Sequence, residues 1–412
     1  MSSNNNLELK PASQGNEPFQ VCTEHATPGS VVVCEKSVVG AMNSQHSHSP
    51  QHSGTAPTLV VFLPNWVGDV VMSTPALRSL RQHFAQARII AVHRAYLAEL
   101  LAGCPWFDGH IYSDHFWTTV RQLRRREVAW ALLFPNSLRV ALAAWLAGCQ
   151  RRIGYRQDGR HWWLTDSLDW PARCGRRRLP FPTMLAYNQL VMHLGCPEPG
   201  VRMELFITPE QEQAAARIWR KQNWQSRRVV ALHPGAAYGS AKCWPTDYFA
   251  ELARRLAVSE DCAVLVLCGP KERLVAQEIV ERAGHPLVYG LHREKVNLGL
   301  VKACLRRVAL LVTTDSGPRH MAVAFDRPVV TLFGPTHIAW TETFHPRSLY
   351  LQQIVPCGPC QLRHCPRDHR CMRELTPDFV FEQACRWLQR WQATSATVEP
   401  VRLASSKDRL AA

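Results

Sequence analysis

Thr313–Ala322 reads TTDSGPRHMA, and Pro328–Thr336 reads PVVTLFGPT. The first closes the apolar run Val308–Val312 with Asp-Ser-Gly-Pro. The second is a β-branched and aromatic run that ends in Gly334-Pro335-Thr336. Continuous apolar runs of this length fit strands of a parallel sheet covered on both faces. A strand that ends in a glycine turn and enters a helix aims backbone N–H groups and the positive helix end at one point, which suits a pyrophosphate. Two such strand ends side by side form a crevice at the carboxyl edge of the sheet, where open α/β folds bind ligands. A nucleotide-linked donor is the expected occupant. The competing reading of each loop is plain punctuation after a strand.

Working outward, strand–helix alternation begins twice. Leu59–Pro64 (LVVFLP) reads as a strand, the next stretch as a loop and one amphipathic helix, and Ala87–His93 as a second strand, which is a βαβ unit. Arg228–Ala236 starts the pattern again, with further strands at Ala263–Gly269 and near Leu287–Tyr289 and helices between them. The fold class is therefore α/β, with two Rossmann-like, doubly wound domains. The expected division is residues 57–205 and 206–376, with a terminal helix at 377–392. Residues 1–56, rich in Ser, Asn, Gln and His, read as a disordered tail, and 393–412 as a flexible one.

A chain of 412 residues with 46% hydrophobic content has room for two such cores. No apolar run approaches the ~18 residues of a membrane span, and the first residues show no basic stretch ahead of an apolar core. A cytoplasmic protein is expected. Most of the fifteen cysteines, such as Cys104, Cys149, Cys262 and Cys304, stand singly in apolar settings, as buried packing residues of a reducing compartment do. The net charge of +15 is uneven: between Arg121 and Arg178 arginines far outnumber Glu127, Asp158, Asp166 and Asp169, and lysine is missing. Arginine without lysine favours forked recognition of phosphate or carboxylate, so nucleic acid, anionic lipid or a phosphorylated glycan all fit.

Two more loops carry candidate chemistry. Pro64–Asp69 leads into the first helix, where Asp69 either favours the helix dipole or faces a cleft as a general base. His233–Pro245 (HPGAAYGSAKCWP) follows a strand, and its Lys242 is the candidate for neutralising a diphosphate.

Five stretches, GDVVMSTPALRSLR, PNSLRVALAAWLAG, RRIGYRQDGRHWWLTD, HPGAAYGSAKCWP and TTDSGPRHMAVAFDRPVVTLFGPT, together resemble glycosyltransferase family 9, the heptosyltransferases, over roughly Leu59–Leu388. The resemblance implies a GT-B fold, its two domains facing across a cleft. It also implies inverting transfer of L-glycero-D-manno-heptose from ADP-heptose to the inner-core heptose of a lipid A–linked glycan, with no cofactor required. It carries Asp69 over as the base. Lys242, Gly235, Glu272, Val296, Asp315, Ser316, Gly317, His320 and Gly334 become donor contacts, Glu272 at the ribose and Val296 on the base. Asn136, Ser137 and Arg139 fall in the acceptor loop. Ala236-Ala237-Tyr238 stand where the family often has an acidic or hydroxyl residue. The partners implied are the ADP-sugar, the lipid-linked glycan and the anionic inner membrane surface, and not nucleic acid.

Cys357, Cys360, Cys365 and Cys371, with His364 and His369 between them, are spaced as C-x2-C-x4-C-x5-C, which could close a structural zinc site or form disulfides, or do neither. A family 9 transferase with another donor or acceptor, and a basic binding protein for nucleic acid or membrane, are the alternatives to heptose transfer.

Overall fold

The computed structural model describes residues 31–35, 58–174 and 177–392. The expected tails therefore lie outside the described residues, with one exception. Val31–Glu35 forms a strand, β1, where the sequence reading placed only disorder. Its run of valines is too short to show a period, and its partner lies at the far end of the chain.

The first half then runs β2 (Thr58–Phe62), α1 (Val67–Met72), α2 (Thr74–His83), β3 (Arg88–His93), α3 (Ala98–Leu101), β4 (Gly109–Tyr112), α4 (Phe116–Arg124), β5 (Trp130–Leu133), α5 (Leu138–Leu146), β6 (Arg151–Tyr155) and β7 (Asp166–Leu168). A small ribbon of β8 (Arg173–Cys174) and β9 (Arg177–Arg178) and the helix α6 (Thr183–Met192) follow. The second half runs α7 (Pro209–Lys221), β10 (Val229–His233), α8 (Thr246–Ser259), β11 (Ala263–Val266), α9 (Arg273–Ala283), β12 (Val288–Gly290), α10 (Leu298–Arg307), β13 (Leu310–Thr314), α11 (Gly317–Ala324), β14 (Val329–Phe333), β15 (Ser348–Gln353), α12 (Arg370–Arg373) and α13 (Pro377–Gln392).

The first sheet is parallel throughout, in the order β4-β3-β2-β5-β6-β7. The second has the order β1-β15-β14-β13-β10-β11-β12 and is parallel except for β1, which pairs antiparallel with β15. In each sheet the chain builds outward from a central strand, then returns to that strand's other side. Strand order thus reverses between β2 and β5 and between β10 and β13, and the loops leaving those strands face a common crevice. The loops after β5, β10 and β13 carry Asn136, Lys242 and Asp315, and the first turn of α1, after β2, carries Asp69.

The single amphipathic helix expected after β2 is two. Pro75, at the first turn of α2, has no N–H to continue α1. The Val71 carbonyl accepts instead from the Thr74 hydroxyl (2.8 Å), and the Val70 carbonyl takes both the hydroxyl (2.7 Å) and the backbone N–H (3.2 Å) of Ser73.

The two halves touch where α1 meets α11. A Cβ on Gly68 would lie 2.9 Å from His320 Cδ2, and one on Gly317 would lie 2.9 Å from Val67 Cβ. Only two glycines let the helix starts approach this closely. Elsewhere across the halves, Thr183 Oγ1 donates to the Trp340 carbonyl (2.8 Å), and the buried Lys302 of α10 donates to the carbonyls of Leu100 (3.0 Å) and Ala102 (3.1 Å) at the end of α3.

Candidate active site

The start of α1 sets Asp69 in its first turn, beside the Gly68–His320 contact. Burial pushes the Asp69 carboxyl up to about 7; the Asp315 charge adds to this and the Lys242 charge opposes it. The helix dipole, which favours the anion, is outweighed. Tyr187 of α6 lies within electrostatic reach of Asp69 and stacks on Phe134 at 4.8 Å.

Across the contact, Lys242 is buried, and its Nζ donates to Asp315 Oδ2 (2.6 Å) and to the Asp315 carbonyl (3.2 Å). The sequence reading gave Lys242 as a charge standing in its loop; the structure makes it half of a buried pair. An ammonium has three N–H donors, so one remains beyond the two used here. The Tyr238 ring lies 4.7 Å from the same nitrogen. Asp315 also accepts from Thr336 Oγ1 (2.9 Å) and Thr341 Oγ1 (3.1 Å), with Arg319 Nη1 at 3.5 Å. Burial alone would raise its carboxyl, but the charges of Lys242 and Arg319 hold it far below the usual range. Its oxygens are thus spent on protein partners.

His320 is buried, and burial drives its imidazole well below its ordinary value, so the ring is neutral at physiological pH. Ser316 Oγ shares a hydrogen bond with His233 Nδ1 (3.1 Å), while His233 Nε2 lies 3.5 Å from Glu272 Oε2. Glu272 also accepts from the Gly269 N–H (2.7 Å). Burial opposes its ionisation, yet the bond and charge of His233 bring it down to about 2. Gly235 has room for no side chain, because a Cβ there would overlap the Glu272 carboxylate. Val296 packs half-buried against the core just ahead of α10.

Gly334 is closely packed in the loop after β14. A Cβ on it would come within 2.5 Å of Met372 Sδ, so the missing side chain leaves room for a thioether of α12. The loop after β5 is held by Arg160, which is fully buried: its guanidinium donates to the Pro135 carbonyl, to Asn136 Oδ1 (3.0 Å) and to the Tyr155 carbonyl (2.8 Å). Ser137 precedes α5 without a side-chain cap bond, and Arg139 lies over the Phe116 ring at 5.3 Å.

Much of the arginine-rich segment is likewise committed locally. Arg151 pairs with Asp166 (2.8 Å), Arg152 donates to the Cys149 and Trp163 carbonyls (2.6 Å each), Arg124 donates to the Leu146 carbonyl (2.8 Å) and Arg178 lies over Trp170. These arginines belong to the structure of the first half, and the arginines left exposed, such as Arg121 and Arg125, are the part of the segment open to an anionic ligand. Sequence reading also passed over His233 and Arg319, although each abuts a glycine loop already singled out. Cys357, Cys360, Cys365 and Cys371 all line one cavity and are unpaired.

The sequence profile of glycosyltransferase family 9 (heptosyltransferase) matches residues 116–370. The chain belongs to glycosyltransferase family 9. It is 26% identical to lipopolysaccharide heptosyltransferase 2 of Salmonella typhimurium, over 79% of this chain and 97% of that protein, and equally so to the Escherichia coli K12 protein of that name. The structure of E. coli ADP-heptose lps heptosyltransferase II superposes with a TM-score of 0.67 at 24% identity, covering 81% of this chain and 99% of that one. A family 9 glycosyl transferase from Veillonella parvula superposes with a TM-score of 0.68 at 19% identity, covering 82% of this chain and 99% of that one. The family 9 chain is therefore a glycosyltransferase with the GT-B fold, as its sequence resemblance implied. No helix among its described residues is long and apolar enough to cross a membrane.

Proposed function

We propose that this enzyme transfers L-glycero-D-manno-heptose from ADP-heptose to the inner-core heptose of a lipid A–linked glycan, with inversion. The observation that carries the reading is Asp69: a carboxylate of one domain, raised to about 7, set against the Lys242–Asp315 pair of the other. A base with that value is half ionised near neutral pH and still takes a proton readily. In one displacement the acceptor oxygen bonds to the anomeric carbon, its proton passes to Asp69, and the anomeric C–O bond breaks to release ADP. The remaining N–H of Lys242 stabilises the departing diphosphate. Ionised Glu272 accepts from the ribose hydroxyls, Val296 lies against the base, and Asn136 and Ser137 line the acceptor side. Similarity to enzymes named as heptosyltransferases supports the sugar.

The same reading places the lipid-linked acceptor at an anionic inner-membrane surface. The outer faces of α4 and α5 support it, for they expose Trp117 (71%), Trp145 (49%) and Leu138 beside Arg121 and Arg125. Exposed tryptophan next to arginine suits a headgroup layer.

The test is incubation with ADP-heptose and heptosylated lipid A, reading ADP release and the anomeric configuration of the product by NMR. ADP release with the inverted linkage is expected. Retention of configuration, or turnover only with another nucleotide sugar, would remove the proposal.

A further inference from the structure

From Ile354 to His369 the chain runs between β15 and α12 with neither strand nor helix, and most of it is exposed. So long an irregular stretch, with so little apolar burial, has scant packing to hold it. Yet it holds the loop that carries Lys242. Tyr238 donates its hydroxyl to the Gln361 carbonyl (2.6 Å), and Ser240 Oγ shares a bond with His364 Nδ1 (3.0 Å). The Ala241 N–H donates to the Arg363 carbonyl (3.0 Å), and His369 Nε2 bonds the Ala241 carbonyl (2.8 Å). Gly239 is hemmed in by the Arg363 carbonyl, so no other residue fits there.

Beneath these bonds lies a cavity of about 20 Å³ walled by Cys357, Cys360, Cys365 and Cys371, with Ala241, Gly334 and Pro335 on its other side. Such a volume takes a single water-sized particle. His364 and His369 each spend one ring nitrogen on the Lys242 loop, Asp368 on the cavity wall pairs with Arg370 (2.6 Å), and the four thiols are the set of like donors around the space. Among the described residues no three His, Cys, Asp or Glu side chains converge closely enough to hold a metal as they stand, so the thiols must turn inward to close a site.

We propose that this cavity is a structural zinc site closed by Cys357, Cys360, Cys365 and Cys371, which fixes the segment that clasps the Lys242 loop. Four thiolates around one ion give the tetrahedral, closed coordination of a structural zinc, and soft sulfur selects zinc over magnesium or calcium. Each thiol releases its proton on binding, leaving a centre of net charge −2 beside Arg370, which lines the same cavity. Zinc then does for this segment what a hydrophobic core does elsewhere, and the donor lysine is positioned through it. That last step rests on the donor reading above; the metal does not.

The test uses the full chain, untagged and purified under reducing conditions. Elemental analysis is expected to find about one zinc per chain, and Co²⁺ in its place to give the intense visible bands of a tetrahedral thiolate site. Cys360→Ser and Cys365→Ser should lose most of the metal and weaken ADP binding several-fold, whereas Cys174→Ser, on the exposed ribbon, should keep both. Wild-type protein that takes up no Zn²⁺ or Co²⁺ while its cysteines titrate as free thiols, or that holds disulfides within the segment, overturns the site. Metal that binds while chelation leaves ADP affinity unchanged overturns its positioning role. ADP that fails to bind zinc-loaded wild type would sink the donor reading and leave the metal stoichiometry to decide the site.

Discussion

The crevice of the second sheet and the arginine-rich half of the first domain are both dense in charge, and they use it in opposite ways. At the crevice, Lys242, Asp315 and Arg319 come from a loop, a strand end and a helix and are buried together. In the arginine segment, Arg151, Arg152, Arg160 and Arg173 each find partners in the same half of the molecule, mostly backbone carbonyls and nearby acids. Position relative to a strand end decided which charges converge; abundance did not. Burying a pair costs desolvation that must be offset by geometry, and the crevice meets that condition with two threonines and a second cation around one carboxylate.

The contrast can be broken most forcefully at its centre. Asp315→Ala removes the partner of two buried cations, and about 3–5 kcal/mol of stability should go with it, read as the midpoint of urea unfolding. Arg173→Ala, which breaks an exposed pair with Asp169, should cost no more than about 1 kcal/mol. Equal losses at the two positions would erase the distinction.

Lys242→Ala should weaken ADP binding by about 1.5–3 kcal/mol in calorimetry, the size of a charge-assisted contact, with acceptor affinity unchanged. Unchanged ADP affinity would mean that the lysine serves Asp315 alone. Residue for residue, the effect expected on the outer face is smaller still. Trp117→Ala with Arg121→Ala and Arg125→Ala should weaken binding to anionic vesicles by about 1 kcal/mol per basic residue, and less at high salt. Loss of salt-sensitive RNA binding, with vesicle binding intact, would favour nucleic acid instead.

The fold was largely legible because both sheets announce themselves in continuous apolar runs, and Val329–Phe333 and Pro377–Gln392 have the bounds the sequence indicated. The edge strand β1 was not, since its pairing with β15 joins residues that no local pattern connects. At the site, residue spacing located the loops but not what each side chain does. Gly235 and Gly334 read as donor-loop glycines in sequence, and that they also leave room for Glu272 and Met372 shows only in three dimensions. The direction of the Asp69 shift was equally hidden, because it depends on burial and on Asp315, hundreds of positions away in the chain.

That shift supplies the most direct test. A carboxyl raised to about 7 in the fold binds its proton more tightly than in the unfolded chain. Stability from this group is therefore present at low pH and lost as pH rises through 7, while the base itself works only above that value. With ADP-heptose and heptosylated lipid A, log kcat/KM should climb with unit slope below an apparent pKa near 7 and level off above it. Asp69→Asn should remove the climb, lower turnover by roughly 10²-fold or more, and leave ADP affinity intact. A wild-type profile flat down to pH 5, or the same climb in Asp69→Asn, would contradict the account.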